Sequence, residues 1–130
     1  NPDPLVRANN GAPRPITVDS ALLRTRPDIV GRFLARIVAI GDWSAAHAAE
    51  TVAYVARETG SSEAAVKKSY GNDLHLFQRT DLAESSIAGL EAYKNFLLQR
   101  GFLPRDFDVR AWIDPQPLAE INRYLNKKTA

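Results

Sequence analysis

The chain of 130 residues contains no cysteine and no methionine. Without cysteine it forms no disulfide, offers no thiolate to a zinc ion and supplies no cysteine nucleophile. Without methionine no native start is visible, so we expect a processed or truncated chain. Apolar runs stay well short of the roughly 18 residues that a membrane-spanning helix needs, and the sequence shows no signal peptide. We therefore predict no membrane insertion.

An excess of charge of one sign is also missing. The formal net charge is +2, and the only adjacent basic pairs are residues 67–68 and 127–128. Proteins that bind nucleic acid carry a basic stripe or patch, so we predict no nucleic-acid partner. Aromatic residues make up 8% of the chain, and we expect Trp43 and Trp112 to pack internally rather than stack on a ligand. The 45% of hydrophobic residues suffice for the core of one domain.

The amino-terminal region changes character near residue 15. Residues 1–14 are rich in proline and asparagine, and we interpret them as an irregular arm. Ile16 and Val18 then alternate with polar residues, which predicts a short β-strand over residues 15–20. The remaining sequence indicates helices, so this strand has no obvious partner. Such a strand suggests a piece of a larger α/β protein.

The helical part has clear start and stop signals. Thr25 and Asp28 are spaced as a capping box that opens a long amphipathic helix, which ends between Asp42 and His47. Glycines are predicted to end three further helices, and a last helix is predicted to follow Pro115. The fold class predicted is mainly α, with about five helices and one short strand. The predicted helix ends and glycines are as follows: 45–59 with Gly60, 61–70 with Gly71, 81–100 with Gly101, and 115–126.

The spacing of the histidines and of Ser44 gives little support for metal binding or for catalysis. His47 and His75 have no third metal ligand at a suitable distance along the chain, so we predict no metal site. Asp42, Ser44 and His47 invite comparison with a catalytic triad. They lack the strand-turn elbow and the oxyanion motif that such a triad requires. We predict no catalytic residue in this chain and no cofactor.

The serial order of motifs resembles a known family. In order, these are Arg26-Pro-Asp28, Asp42-Trp43 with His47, Glu58-Thr-Gly60, Ser62-Glu-Ala-Ala-Val66, Arg100-Gly-Phe-Leu103 and Trp112-Ile-Asp-Pro115. Together they resemble the carboxy-terminal part of the substrate-binding proteins of ABC importers for alkanesulfonates, nitrate, taurine and thiamine precursors. This fold is similar to that of the aromatic sulfinate desulfinases. The resemblance covers residues 14–125.

The resemblance implies a two-lobed type II periplasmic-binding-protein fold, of which this chain is a fragment. Residues 15–130 would be the carboxy-terminal segment of the first lobe, a return strand followed by helices. The function implied is capture of a small organic anion by lobe closure, without enzymatic activity, followed by docking on an ABC permease. The localisation implied for the full-length protein is periplasmic, or extracytoplasmic as a lipoprotein.

The same resemblance implies that the polar strand end faces the ligand cleft. The candidate ligand-binding residues are Thr17, Asp19 and Ser20. The carboxylate of Asp19 would repel an anion. It therefore suggests a cationic or hydrogen-bonding ligand, or a side chain that faces away from the cleft. Asp19 and Ser20 can also simply satisfy the backbone of a turn.

Two other functions remain open at this point. One is an enzyme on the same fold, of the desulfinase or pyrimidine-synthase type, whose catalytic cysteine would lie outside this chain. The other is a self-standing helical interaction module. Because an unpaired strand edge promotes association, residues 15–20 would then pair across a homodimer.

Overall fold

The chain is described over residues 13–125 by a computed structural model, in which these residues form eight α-helices and one 3₁₀ turn. The prediction of a mainly helical chain is confirmed, and its origin in a larger α/β fold stays a prediction. The predicted arm at residues 1–14 falls almost entirely outside the described residues. The elements are α1 (Ser20–Thr25), α2 (Pro27–Ala46), α3 (Ala48–Thr59), α4 (Glu63–Tyr70), the 3₁₀ turn (Leu74–Leu76), α5 (Glu84–Gln99), α6 (Val109–Trp112), α7 (Gln116–Ala119) and α8 (Asn122–Leu125).

The predicted strand at residues 15–20 is wrong. Residues 13–19 have no regular secondary structure, and Ser20 is already the first residue of α1. A strand requires a neighbour that takes up its N–H and C=O groups. No described segment of this chain provides one, so the alternation of Ile16 and Val18 does not produce a strand here.

The start of α2 also differs from the prediction, because Thr25 does not cap it. Thr25 ends α1 and its hydroxyl donates to the carbonyl oxygen of Ala21 at 2.8 Å. The helix breaks at Arg26, which has a φ of −137° and a ψ of 56°. A residue before proline is kept out of the helical region, and Pro27 itself suits the first helical position. Pro27 therefore decides where α2 begins.

Helix α2 is the central element of the fold. Its buried face contacts the 3₁₀ turn, α3, α7 and α8. Two glycines allow close approach on this face: Gly31 lies under the ring of Tyr124, and Gly41 lies against the backbone of Gln78. The last predicted helix is divided into α7 and α8, where Ile121 is buried and Tyr124 docks on α2.

A second set of contacts joins α3, α4 and the 3₁₀ turn. Their shared core consists of Val52, Ala56, Val66 and Leu74, all of them buried. The predicted end of α3 is confirmed, because Gly60 adopts a φ of 63° there. Such a left-handed conformation favours glycine.

Hydropathy separates these helices from membrane spans. In the part of the chain that the structure describes, every helix is too short or too polar to cross a bilayer.

Candidate functional site

The three predicted ligand-binding residues lie at the start of α1. Thr17 is exposed before the helix, and Ser20 is its exposed first residue. Between them, Asp19 Oδ1 accepts hydrogen bonds from the N–H groups of Ala21 at 2.8 Å and Leu22 at 3.1 Å. The carboxylate is therefore an N-cap that satisfies backbone donors of α1. A ligand role for these residues stays a prediction.

An open groove lies between α5 and the segment that leads into α6. Its volume is about 530 Å³. The lining residues are Glu91, Lys94, Asn95, Asp106, Phe107, Asp108 and Val109. Charged side chains therefore dominate its walls, and their pairing decides what the groove can bind.

Lys94 is the central cation of this groove, with only 13% of its side chain exposed. Its Nζ donates to Asp106 Oδ1 and to the carbonyl oxygen of Phe107, the latter at 3.3 Å. The Phe107 ring centroid lies 5.9 Å from the same nitrogen, a distance that suits a cation–π contact. The hydrogen bond from Lys94 lowers the pKa of Asp106. Through these contacts the ammonium group of Lys94 holds the segment before α6 against α5.

Arg110 on α6 makes the matching contact further along α5. Its guanidinium pairs with Glu84, and its Nε lies 3.2 Å from Glu91 Oε1. The hydrogen bond from Arg110 lowers the pKa of Glu84, and the same bond raises the pKa of Arg110. Asp108 caps α6 by accepting from the backbone N–H groups of Arg110 and Ala111. Each of these charges has a partner within the protein.

The groove is therefore suited to holding α6 on α5 and poorly suited to binding an anion. Three carboxylates and one cation line it, and that cation is already paired. A sulfonate or sulfinate entering here would meet net negative charge and would have to displace an ion pair. We assign the groove a structural role.

Acidification should weaken the contact between Lys94 and Asp106, because the pKa of Asp106 lies below its ordinary value. An aspartate with a lowered folded-state pKa stabilises the fold above its unfolded pKa of about 3.9 and loses that contribution as the pH falls through its folded pKa. We expect an NMR titration of Lys94→Gln to show the pKa of Asp106 raised towards the ordinary value. Lys68→Gln, on the exposed surface of α4, serves as the control and should leave it unchanged. An unchanged Asp106 pKa in Lys94→Gln would contradict the pairing.

Ser44 and His47 do not form a catalytic pair. Ser44 Oγ lies 3.0 Å from Thr51 Oγ1, and both residues are buried. His47 Nδ1 donates to the carbonyl oxygen of Trp43 at 2.7 Å, and its ring stacks on the indole with a centroid distance of 4.6 Å. The serine and the histidine are thus each engaged elsewhere, joining the end of α2 to α3.

Among residues 13–125, no three histidine or acidic side chains come together as a metal site requires. The buried Nδ1 of His75 has no hydrogen-bond partner among the described residues.

The prediction that Trp43 and Trp112 pack internally is not met, because both side chains are about half exposed.

Comparison with known proteins identifies relatives of this chain. It is 31% identical over 111 residues to the 2'-hydroxybiphenyl-2-sulfinate desulfinases of Rhodococcus erythropolis and Rhodococcus qingshengii. The match covers 85% of this chain and 30% of each relative, so the chain spans less than a third of the relatives' length. No family model and no solved structure matches.

These relatives correct one prediction and support another in part. The prediction of no enzymatic activity is wrong, because the relatives are named as enzymes. The desulfinases are related to the sulfonate-binding fold family, so the resemblance holds at that level.

Proposed function

We propose that this chain is a scaffold segment of a desulfinase-type enzyme that removes a sulfinate group from an aromatic ring. The supporting observation is the 31% identity to the Rhodococcus desulfinases over 85% of the chain. Their names describe an enzyme that acts on 2'-hydroxybiphenyl-2-sulfinate. In the net reaction the carbon–sulfur bond breaks, the ring carbon gains a proton, and the sulfinate leaves with the oxygen of water as hydrogensulfite.

The described residues fit a supporting role in that reaction. The chain has no cysteine, Ser44 is buried against Thr51, and the Nδ1 proton of His47 is held by a carbonyl oxygen. The nucleophile or general acid would come from residues beyond this chain. We propose that the exposed hydroxyls of Thr17 and Ser20 face the sulfinate, while Asp19 remains the cap of α1.

The competing hypothesis is a substrate-binding protein of an ABC importer. It describes a periplasmic protein that binds a small organic anion, closes its lobes and docks on a membrane permease. It requires ligand binding without turnover, whereas a desulfinase releases sulfite. The two functions therefore differ in a product that is directly measurable.

The test is a sulfite assay on the longest open reading frame that contains this sequence. Incubated with 2'-hydroxybiphenyl-2-sulfinate, the purified product should release sulfite and 2-hydroxybiphenyl in equal amounts. The 130-residue chain alone is the control and should release none, because it lacks a suitably placed nucleophile. Saturable binding of the sulfinate or of taurine without any sulfite would contradict the proposal and favour the importer.

A further inference from the structure

The carboxy-terminal residues 115–125, which we call the strap, lie on α2 with little buried surface. The strap contains α7 and α8, each of four residues, and helices shorter than about 12 residues are marginal in water by themselves. Ile121 is its one buried residue, and Leu118 and Tyr124 are half-buried. The strap therefore depends on its contact with α2 for its helical structure.

Several polar contacts of the strap lie inside it. Gln116 Nε2 donates to Glu120 Oε1 at 3.1 Å, and Arg123 Nη1 lies 3.0 Å from Glu120 Oε2. The backbone N–H of Tyr124 donates to the carbonyl oxygen of Ile121 at 2.9 Å. These contacts do not have to break when the strap separates from α2. They favour movement of the strap as one piece.

The contact between the strap and α2 includes a close fit of Tyr124 on Gly31. A Cβ atom at Gly31 would lie 2.7 Å from Cδ2 and from Cζ of the tyrosine ring, so only glycine leaves room for the ring there. Ala35 follows one turn later on the same face of α2 and is 5% exposed. Departure of the ring would uncover Gly31 and the apolar surface beside it.

The core between α3, α4 and the 3₁₀ turn is built without the strap. Its buried cluster contains no strap residue and consists of Val52, Ala56, Val66 and Leu74. Separation of the strap from α2 would therefore leave this cluster packed. Proteins commonly open in such contiguous units at a lower free energy than global unfolding requires.

We propose that the strap is a conformational device that opens from α2 as a unit while α3 and α4 stay folded, and that the fit of Tyr124 on Gly31 holds it closed. In the closed state the strap covers one apolar face of α2. In the open state that face, with Gly31 near its amino-terminal end, is accessible. The structure described above is the closed state.

The experiment is native-state hydrogen exchange of the 130-residue chain, followed by NMR at several low urea concentrations. The N–H groups of Glu120, Tyr124 and Leu125 are hydrogen-bonded within the strap and report on its opening. The N–H of Val66, which donates to the carbonyl oxygen of Ser62, reports on the core. We expect the strap amides to exchange through an opening that depends little on urea, because it exposes little surface. Val66 should exchange through global unfolding, with a steep dependence on urea.

Two variants test the contact itself. Tyr124→Ala should speed exchange of the strap amides by about tenfold or more, equivalent to about 1.4 kcal/mol, without speeding exchange at Val66. Gly31→Ala should also speed exchange in the strap, because the added Cβ displaces the ring while the strap keeps all its atoms. Alanine is the better helix former, so a weakened α2 would not explain that result.

The matched control is Asn122→Ala, an exposed position in α8, which should change exchange in the strap by no more than about twofold. A double variant of Gly31→Ala and Tyr124→Ala completes a cycle. Because both substitutions remove the same contact, the second should add little to the first.

Three outcomes would overturn the inference. In the first, the strap amides and Val66 exchange with the same free energy and the same urea dependence, so that the strap opens only when the whole chain unfolds. In the second, the strap amides of the unmodified chain exchange without any protection, so that the strap is not closed. In the third, the effects of Gly31→Ala and Tyr124→Ala add fully in the double variant, so that the two residues do not act through one contact.

Discussion

Replacing Leu74 with alanine should lower the free energy of unfolding by about 3 kcal/mol, within the range measured for buried leucines. Leu74 is 4% exposed and lies in the core with Val52, Ala56 and Val66. The truncation would remove one methine and two methyl groups from the point where the 3₁₀ turn contacts α2 and α3. Because small domains are stable by only about 5–15 kcal/mol, urea denaturation followed by circular dichroism should show a clear shift in midpoint.

The control for this substitution lies two residues away. Leu76 belongs to the same 3₁₀ turn but is 46% exposed. Leu76→Ala should change stability by no more than about 0.5 kcal/mol, as is usual for surface positions. Equal losses for the two variants would mean that Leu74 is not a core residue of the folded chain.

Gly41→Val should cost about 3 kcal/mol, at the upper end of the usual cost of overpacking. A Cβ atom at Gly41 would lie 2.8 Å from the carbonyl oxygen of Gln78 and 3.3 Å from Arg79 Cα. These are backbone atoms, which cannot rotate away as a side chain can. Valine adds two methyl groups at the same point and would force the segment after the 3₁₀ turn away from α2.

Ala39→Val is the matched control for that prediction. It introduces valine two residues earlier in the same helix at an exposed position, where only helix propensity changes, by about 0.6 kcal/mol. Glycine is a poorer helix former than valine, so propensity alone would make Gly41→Val slightly stabilising. A stabilised Gly41→Val in thermal or urea unfolding would contradict the close contact.

Helix ends that depend on local chemistry were predictable. Gly60, Gly71 and Gly101 all adopt positive φ angles beyond helix ends, and Ser62 caps α4 by accepting from the N–H of Ala65. These signals involve residues within one turn of each other. The failed capping box at Thr25 shows the limit, because its hydroxyl donates to the carbonyl oxygen of Ala21 within α1 and Pro27 sets the start of α2.

The site was less accessible to sequence reasoning. The ion pairs of Lys94 with Asp106 and of Arg110 with Glu84 join residues 12 and 26 positions apart. No local spacing rule indicates such pairs, because the path of the chain between α5 and α6 brings them together. The sequence predicts Asp19 in a strand, and only the geometry of α1 shows that its carboxylate caps a helix by accepting from two backbone donors.

The sequence by itself determined the helical character of this chain, most helix ends and the absence of a cysteine nucleophile. These features depend on residue type and on contacts within a few positions. Tertiary structure alone decided that residues 15–20 form no strand and that Ser44 and His47 are engaged separately. It also decided that α2 buries one apolar face and exposes another. Strand pairing and burial depend on what lies opposite in space, which residue type and local spacing do not determine.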